Sequence, residues 1–126
     1  MGLTGSCHCG AVALIVVEGA VEWVASCNCS ICRRLGTLMA YFPDDGSVSV
    51  RGPTAAYIQG DRMIALHHCP TCACTTHWVS TGESHGRVGV NARLFDGFEM
   101  RDGPHGPEPW LDGKPIEVRF FNNADA

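Results

Sequence analysis

The sequence predicts a small, mainly β protein. Short apolar segments rich in β-branched residues recur along the chain, and each is too short for a convincing helix. The 126 residues include 15 glycines and 7 prolines, which indicate many turns between these segments. Because 45% of the residues are hydrophobic, the chain can bury one core, and we expect a single domain over residues 1–126.

The first fifty residues predict four strands, at 11–17, 21–26, 38–42 and 47–50. The first is an aliphatic run typical of a buried strand, and the second leads directly into a cysteine cluster. The third is apolar and aromatic and ends in a Pro-Asp-Asp-Gly turn, whereas the fourth alternates serine with valine. Between the second and third strands we expect one or two helical turns, which Asn28 or Ser30 can cap and Gly36 can end.

The rest of the chain predicts five further strands, at 56–59, 63–68, 76–79, 87–91 and 116–121. Gly60 and Asp61 predict a hairpin turn between the first two of these. In the last, apolar and charged residues alternate, as they do in a strand with one buried face. Residues 104–115 are rich in glycine and proline and predict a long surface connection pinned by Trp110, and residues 122–126 predict a frayed tail.

The charge balance argues against nucleic acid as a partner. Nine basic residues stand against 13 acidic ones, a formal net charge of −4, and no lysine or arginine run is long enough to follow a phosphate backbone. No apolar run approaches the roughly 20 residues needed to cross a membrane. The amino end carries no charged-then-apolar export signal, so we expect a cytoplasmic protein.

Cysteine carries most of the functional information. In a cytoplasmic chain, 8 cysteines favour metal binding or redox catalysis over disulfides. A secreted disulfide scaffold is the alternative if an export signal has been removed. The cysteines fall into three groups, which are the pair Cys7 and Cys9, the triplet Cys27, Cys29 and Cys32, and the pair Cys69 and Cys72 with Cys74 behind it.

The two pairs predict a closed zinc site. A C-x-x-C turn points two thiolates at one ion, and a second pair completes a tetrahedron. A zinc ion with four cysteine ligands is coordinatively full, so it holds the fold together. The closed site is assigned to Cys7, Cys9, Cys69 and Cys72, although Cys74 can replace Cys72 in such an arrangement.

The triplet predicts an open zinc site at Cys27, Cys29 and Cys32. Three protein ligands leave a position for water or substrate, which is the arrangement of catalytic zinc. Three ligands also hold the ion less firmly than four, so this zinc is expected to be the more labile one. Two alternatives stay open: redox thiols without a metal, or a structural site with a fourth ligand from His8, His67 or His77.

The order and local spacing of seven cysteines resemble the glutathione-dependent formaldehyde-activating enzyme family. The resemblance runs from about residue 7 to residue 90 and is carried by Cys7-His8-Cys9-Gly10, Cys27-Asn28-Cys29-Ser30-Ile31-Cys32-Arg33 and Cys69-Pro70-Thr71-Cys72. It implies an Mss4-like fold of twisted antiparallel sheets with a structural zinc at one edge. It also implies that the two cysteine pairs hold this structural zinc and that the triplet holds a catalytic one.

This chain departs from the family at Cys74, where glycine is usual, and it is shorter than the founding formaldehyde enzyme. The resemblance implies a carbon–sulfur lyase whose partners are a small thiol, such as glutathione, and an aldehyde. Arg33 and Arg34, beside the triplet, are candidates for binding a substrate carboxylate. The rivals are a zinc-stabilised binding module without catalysis and a methionine sulfoxide reductase, although no late cysteine follows Cys74 to serve the latter.

Overall fold

The chain folds into sheets of short strands, as the sequence predicts. The computed structural model describes residues 2–58, 60 and 62–122. In chain order the elements are β1 (Leu3–Ser6), β2 (Ala13–Val16), β3 (Trp23–Cys27), α1 (Cys32–Leu35), β4 (Met39–Pro43), β5 (Val48–Arg51), β6 (Ala55–Ile58), β7 (Ile64–His68), β8 (Thr75–Ser80), β9 (Arg87–Asn91), a 3₁₀ turn (Ala92–Leu94), β10 (Phe98–Gly103), β11 (Gly106–Leu111), β12 (Lys114–Pro115) and β13 (Glu117–Phe121). The mainly β class is confirmed. Among the described residues, no helix has the length and apolar character needed to cross a membrane.

Within the described residues the strands form three sheets. One joins β1, β2 and β5, a second joins β10, β11 and β12, and the largest has the order β13-β3-β4-β9-β8-β7-β6. The pair β13–β3 is parallel, with Glu117 opposite Trp23 and Phe121 opposite Cys27. The sheets are therefore mixed, and the expectation of antiparallel sheets alone is corrected. Alternation of apolar residues predicts which face of a strand is buried but not the direction of its neighbour.

The large sheet has one face in the core and one face open. Ala40, Phe42, Val88 and Val90 belong to a buried cluster that also contains Leu14 and Val16 of the first sheet and Leu111 of the second. Because side chains alternate along a strand, the residues between them point to the opposite face. That opposite face carries Tyr41 and Gly89, which lie opposite one another in β4 and β9.

Residues 104–115 do not form the predicted surface connection. Instead β10 and β11 pair over their full length, from Phe98 opposite Leu111 to Gly103 opposite Gly106. The Pro109 carbonyl accepts a hydrogen bond from the Ile116 amide at 3.0 Å, on the β12 side of the strand. The amide and carbonyl of one residue point to the same side of a strand, so the missing N–H of this proline faces away from the β10 ladder.

Several local predictions need correction or fall outside the described residues. Strand β1 was not predicted, and α1 begins at Cys32 after Ile31, without a side-chain cap from Asn28 or Ser30. Gly36 ends this helix in the left-handed conformation, as predicted. The turn predicted at Gly60 and Asp61 is described only at Gly60, which does lie in a turn. Position 61, and positions 123–126 of the predicted tail, lie outside the described residues.

Position 89 of β9 is occupied by glycine because the side chain of Trp78 crosses the strand there. Trp78 lies opposite Gly89 in β8, and Tyr41 lies opposite it in β4. A Cβ atom at position 89 would overlap the indole Nε1 of Trp78. Without that Cβ, the Trp78 and Tyr41 rings meet over the middle strand with their centroids 6.0 Å apart.

Substitution Gly89→Ala tests this packing. We expect it to lower the free energy of unfolding by about 1–3 kcal/mol, the usual cost of overpacking. The matched control is Gly82→Ala, because a Cβ there meets no atom within 4 Å. Urea denaturation followed by tryptophan fluorescence measures both, and equal stability of the two variants would contradict the role given to Gly89.

Candidate metal centres and the adjoining cleft

The first cysteine group joins two sheets. Its four sulfur atoms lie within 4.8 Å of one another and belong to Cys7, Cys9, Cys69 and Cys72. The first pair follows β1 of the three-stranded sheet, and the second pair lies in the turn between β7 and β8 of the seven-stranded sheet. The structure thus brings together the same four residues that the sequence assigned to a closed zinc site.

Backbone amides in both turns point at sulfur atoms. The Val12 amide donates to Cys7 Sγ at 3.3 Å, and the Cys72 amide donates to Cys69 Sγ at 3.5 Å. The Ala73 amide closes the second turn by donating to the Cys69 carbonyl at 2.9 Å. Amides that donate to sulfur stabilise the thiolate, which is the form of cysteine that binds a metal.

The distances within this group fit zinc. Cys9 Sγ lies 3.7 Å from Cys7 Sγ and 3.6 Å from Cys69 Sγ. In a tetrahedral site with Zn–S bonds of about 2.3 Å, neighbouring sulfurs are about 3.8 Å apart. None of the 8 cysteines, all of them described, forms a disulfide. These two distances match a tetrahedral zinc site, and the group is therefore suited to one zinc ion.

The four thiols also affect one another's ionisation. Backbone amides of Cys74 and Cys9 lower the pKa of Cys72 to about 5. The Ala11 amide acts to lower the pKa of Cys9, yet burial and the neighbouring thiols together raise it to about 11. Neighbouring thiolates repel one another, so the four are stable together only around a cation. A divalent metal ion would supply that charge.

Cys74 lies beside this group but is not part of it. The structure groups Cys72, and not Cys74, with the other three sulfur atoms. The Cys74 carbonyl accepts from the Cys69 amide at 2.9 Å, and its side chain packs against the small buried cluster that contains Val12. Besides this apolar packing, its thiol makes hydrogen bonds with the His8 amide and the Cys72 side chain.

The second cysteine group lies where β3 passes into α1. The sulfur atoms of Cys27, Cys29 and Cys32 lie within 4.8 Å of one another. The Cys29 amide donates to Cys27 Sγ and the Cys32 amide to Cys29 Sγ, both at 3.4 Å. Burial acts to raise the pKa of Cys29, but the hydrogen bonds from Cys32 and Cys27 outweigh it and lower the pKa. Burial and the adjacent Cys29 raise the pKa of Cys32.

Within the described residues, neither group includes a histidine. His67 and His77 instead stack on each other across β7 and β8, with ring centroids 4.5 Å apart. Their Nδ1 atoms share hydrogen bonds of 2.9 Å with the hydroxyls of Thr54 and Thr76. Burial, and then the charge of His67, lowers the pKa of His77 to about 4, so His77 is neutral at pH 7. Among the described residues, therefore, no histidine serves as a fourth ligand beside the three cysteines of the triplet.

The second cysteine group opens into a cleft of about 760 Å³. The floor of the cleft is the face of the seven-stranded sheet that points away from the core. Cys27, Cys29 and Cys32 line one part of it. The rest of the lining is mainly apolar and consists of Ala25, Ile31, Thr37, Met39, Tyr41, Met63, Ile64, Leu66, Trp78, His85, Arg87 and Phe121.

Three rings, Tyr41, Trp78 and Phe121, form what we call the aromatic wall. Tyr41 packs edge-on against Trp78 at 6.0 Å and is stacked with Phe121 at 6.3 Å between centroids. The Arg87 guanidinium covers the Tyr41 ring at 4.3 Å from its centroid. Burial raises the pKa of Tyr41 although the Arg87 charge opposes it, so this phenol stays protonated at neutral pH.

The two arginines singled out from the sequence lie elsewhere. Arg33 and Arg34 are exposed on α1 and are not among the residues that line the cleft, and Arg34 Nη1 donates to the Ser30 carbonyl at 2.6 Å. Their role in binding a carboxylate stays a prediction. Arg87, which does line the cleft, was missed, because a single basic residue at the start of a strand forms no motif.

Comparison with known proteins gives two similarities. A sequence model described as glutathione-dependent formaldehyde-activating enzyme matches residues 2–110. The crystal structure of a Rhodobacter sphaeroides protein is similar over 92% of this chain and 99% of its own, with 27% sequence identity and a TM-score of 0.65. No curated protein matches the sequence significantly.

Substitution Cys69→Ser tests the first cysteine group, and Cys74→Ser is its matched control. We expect Cys69→Ser to lose one bound zinc and to lower the free energy of unfolding by about 4 kcal/mol or more, since loss of a metal is among the most destabilising changes. Cys74→Ser should keep the zinc content of the parent. Native mass spectrometry counts the ions and urea denaturation gives the stability.

Because Cys69→Ser can fail to fold, the parent protein provides a second measurement. A strong chelator added to the parent should remove zinc and shift its urea midpoint in the same direction as the substitution. Loss of zinc from Cys74→Ser with retention in Cys69→Ser would show that the ligands are not those grouped here.

Proposed function

The chain belongs to the glutathione-dependent formaldehyde-activating enzyme family, and on that premise we propose that it is a zinc-dependent carbon–sulfur lyase. The reaction is addition of a small thiol, such as glutathione, to an aldehyde, or the reverse cleavage. In the forward direction the S–H bond breaks and sulfur bonds to the carbonyl carbon. The thiol proton ends on the former carbonyl oxygen, so no oxidant or reductant is needed.

The observation that carries the proposal is the position of the triplet. Cys27, Cys29 and Cys32 line a cleft, and no fourth side-chain ligand stands with them among the described residues. A zinc ion held by three thiolates would supply an open position at which a thiol binds and loses its proton readily. The closed group of Cys7, Cys9, Cys69 and Cys72 offers no such position, so we assign it a structural role.

The chain's own residues complete the proposed site. The apolar walls of the cleft exclude water from the reacting sulfur and carbonyl carbon. Tyr41 lines the same cleft and keeps its proton at neutral pH, so its hydroxyl can donate a hydrogen bond to the carbonyl oxygen as negative charge develops there. Arg33 and Arg34, just beyond the triplet on α1, are the candidates that the sequence offers for a substrate carboxylate, but neither lines the cleft.

The proposed partners are therefore a small thiol and an aldehyde, and we propose a cytoplasmic location. Cysteines that form metal sites instead of disulfides suit a reducing compartment. The alternative function is a zinc-stabilised binding module without catalysis. The two differ in one respect, because only the enzyme requires an exchangeable ligand position at the triplet.

Substitution Cys29→Ser tests the enzyme. We expect about two zinc ions in the parent and about one in this variant, because one of three ligands to the second ion is lost. Exchange of formaldehyde between its free and glutathione-bound forms, followed by NMR exchange spectroscopy, should be faster with parent protein than without protein. Cys29→Ser should return the rate to the spontaneous one, and Cys74→Ser should retain the parent rate.

A cobalt-substituted protein separates catalysis from binding. Addition of glutathione should change the visible cobalt spectrum of the parent, since the open position gains a sulfur ligand. Two ions that give no spectral change and no faster exchange would favour the binding module.

A further inference from the structure

Apart from the cysteine triplet, few chargeable side chains line the described part of the cleft. Among the described residues that line it, Arg87 is the one guanidinium and no aspartate or glutamate is present. A tripeptide thiol such as glutathione carries two carboxylates and an ammonium group. An ammonium group requires an acidic or carbonyl partner when it leaves water, and two carboxylates require more than one cationic partner. The lining therefore suits a simpler ligand.

The walls of the cleft suit an apolar body. Tyr41, Trp78 and Phe121 present ring surfaces, and Met39, Ile64 and Leu66 complete the apolar lining. The rings are held from three strands, with Gly89 allowing Trp78 to reach Tyr41 over β9. Aromatic rings held in this way provide a preformed surface for an aromatic or branched apolar group.

Arg87 is placed to bind a carboxylate. Its guanidinium carbon lies 4.3 Å from the centroid of the Tyr41 ring. Stacking uses the face of a guanidinium, whereas its N–H groups lie in its plane and stay available for a bidentate contact. The ion pairs formed by described residues are Arg101–Glu99 and Arg119–Glu117, so no described carboxylate competes for Arg87.

We propose that the cleft selects an apolar or aromatic substrate with a single carboxylate, which Arg87 binds while the reacting thiol or aldehyde lies at the cysteine triplet. This inference rests on the proposed function and names the substrate class of the same site. Arg87 is then a specificity-determining residue, and the aromatic wall holds the body of the substrate. Arg33 and Arg34 lie outside the cleft and do not bind this carboxylate.

A probe without a thiol or an aldehyde tests the binding step alone. In the zinc-loaded parent, 3-phenylpropanoate should bind more tightly than 3-phenylpropanamide, measured by ligand-observed NMR titration. Arg87→Met should weaken binding of the carboxylate by about tenfold or more, the range of charge-assisted hydrogen bonds, and leave the amide unchanged.

Two control variants make the test specific. Arg101 stacks on Trp110 at 4.0 Å in a different sheet, so Arg101→Met repeats the loss of a stacked arginine away from the cleft and should leave both affinities unchanged. The double variant Arg33→Met/Arg34→Met should also bind as the parent does. Weaker binding in the double variant with normal binding in Arg87→Met would overturn the assignment, as would a parent that does not bind the carboxylate.

Turnover distinguishes failure of this inference from failure of the proposed function. With formaldehyde as the aldehyde, a thiol with an aromatic body and one carboxylate should have a lower KM than glutathione. Arg87→Met should raise that KM more than it lowers kcat, since Arg87 contacts the carboxylate and not the reacting sulfur or carbonyl carbon. Catalysis with glutathione preferred would overturn the inference alone, whereas Arg87-dependent probe binding without catalysis would count against the proposed function alone.

Discussion

The convergence of four cysteine sulfurs is the interaction on which the rest of this structure depends. Cys7 and Cys9 follow a strand of one sheet, and Cys69 and Cys72 lie in a turn between two strands of another. Their contact therefore connects chain segments about 60 residues apart in sequence. Four adjacent thiolates repel one another unless a cation lies between them. A small β protein gains much from such a cross-link, because its core alone supplies little net stability. A metal ion held by these four residues would therefore fix how the two sheets meet.

That connection leaves one face of the large sheet for function. Its core face is filled by residues such as Phe42 and Val90, and the alternation of side chains sends Tyr41 to the opposite side. Strand β3 carries the same alternation into its last residue, Cys27, which lines the cleft with Tyr41. The position of Cys27 in the cleft thus follows from the direction of its side chain at the end of β3. The turn that connects β3 to α1 places Cys29 and Cys32 in the same cleft.

The sequence allowed prediction of whatever depends on local pattern. The two cysteine sets follow from spacing, and β9 follows from its alternation over residues 87–91, where the structure has the same bounds. The hairpin of β10 and β11 was missed because glycine and proline normally mark loops, and Pro109 is accommodated only by the direction of its absent N–H. The parallel pairing of β13 with β3 was missed because it depends on the path of the intervening chain.

The cleft shows a different limit of local pattern. The aromatic wall is built from three separate strands, which carry Tyr41, Trp78 and Phe121. Their spacing in the sequence does not predict that these rings are in contact. From sequence alone, Gly89 is expected to destabilise its strand. In the structure, the absence of a side chain at this position allows the Trp78 and Tyr41 rings to come into contact. Arg87 becomes a candidate binding residue only because the fold places it over the Tyr41 ring. Cysteine spacing therefore identifies both candidate metal sites from sequence, whereas the lining of the adjoining cleft comes from residues that only the sheet brings together.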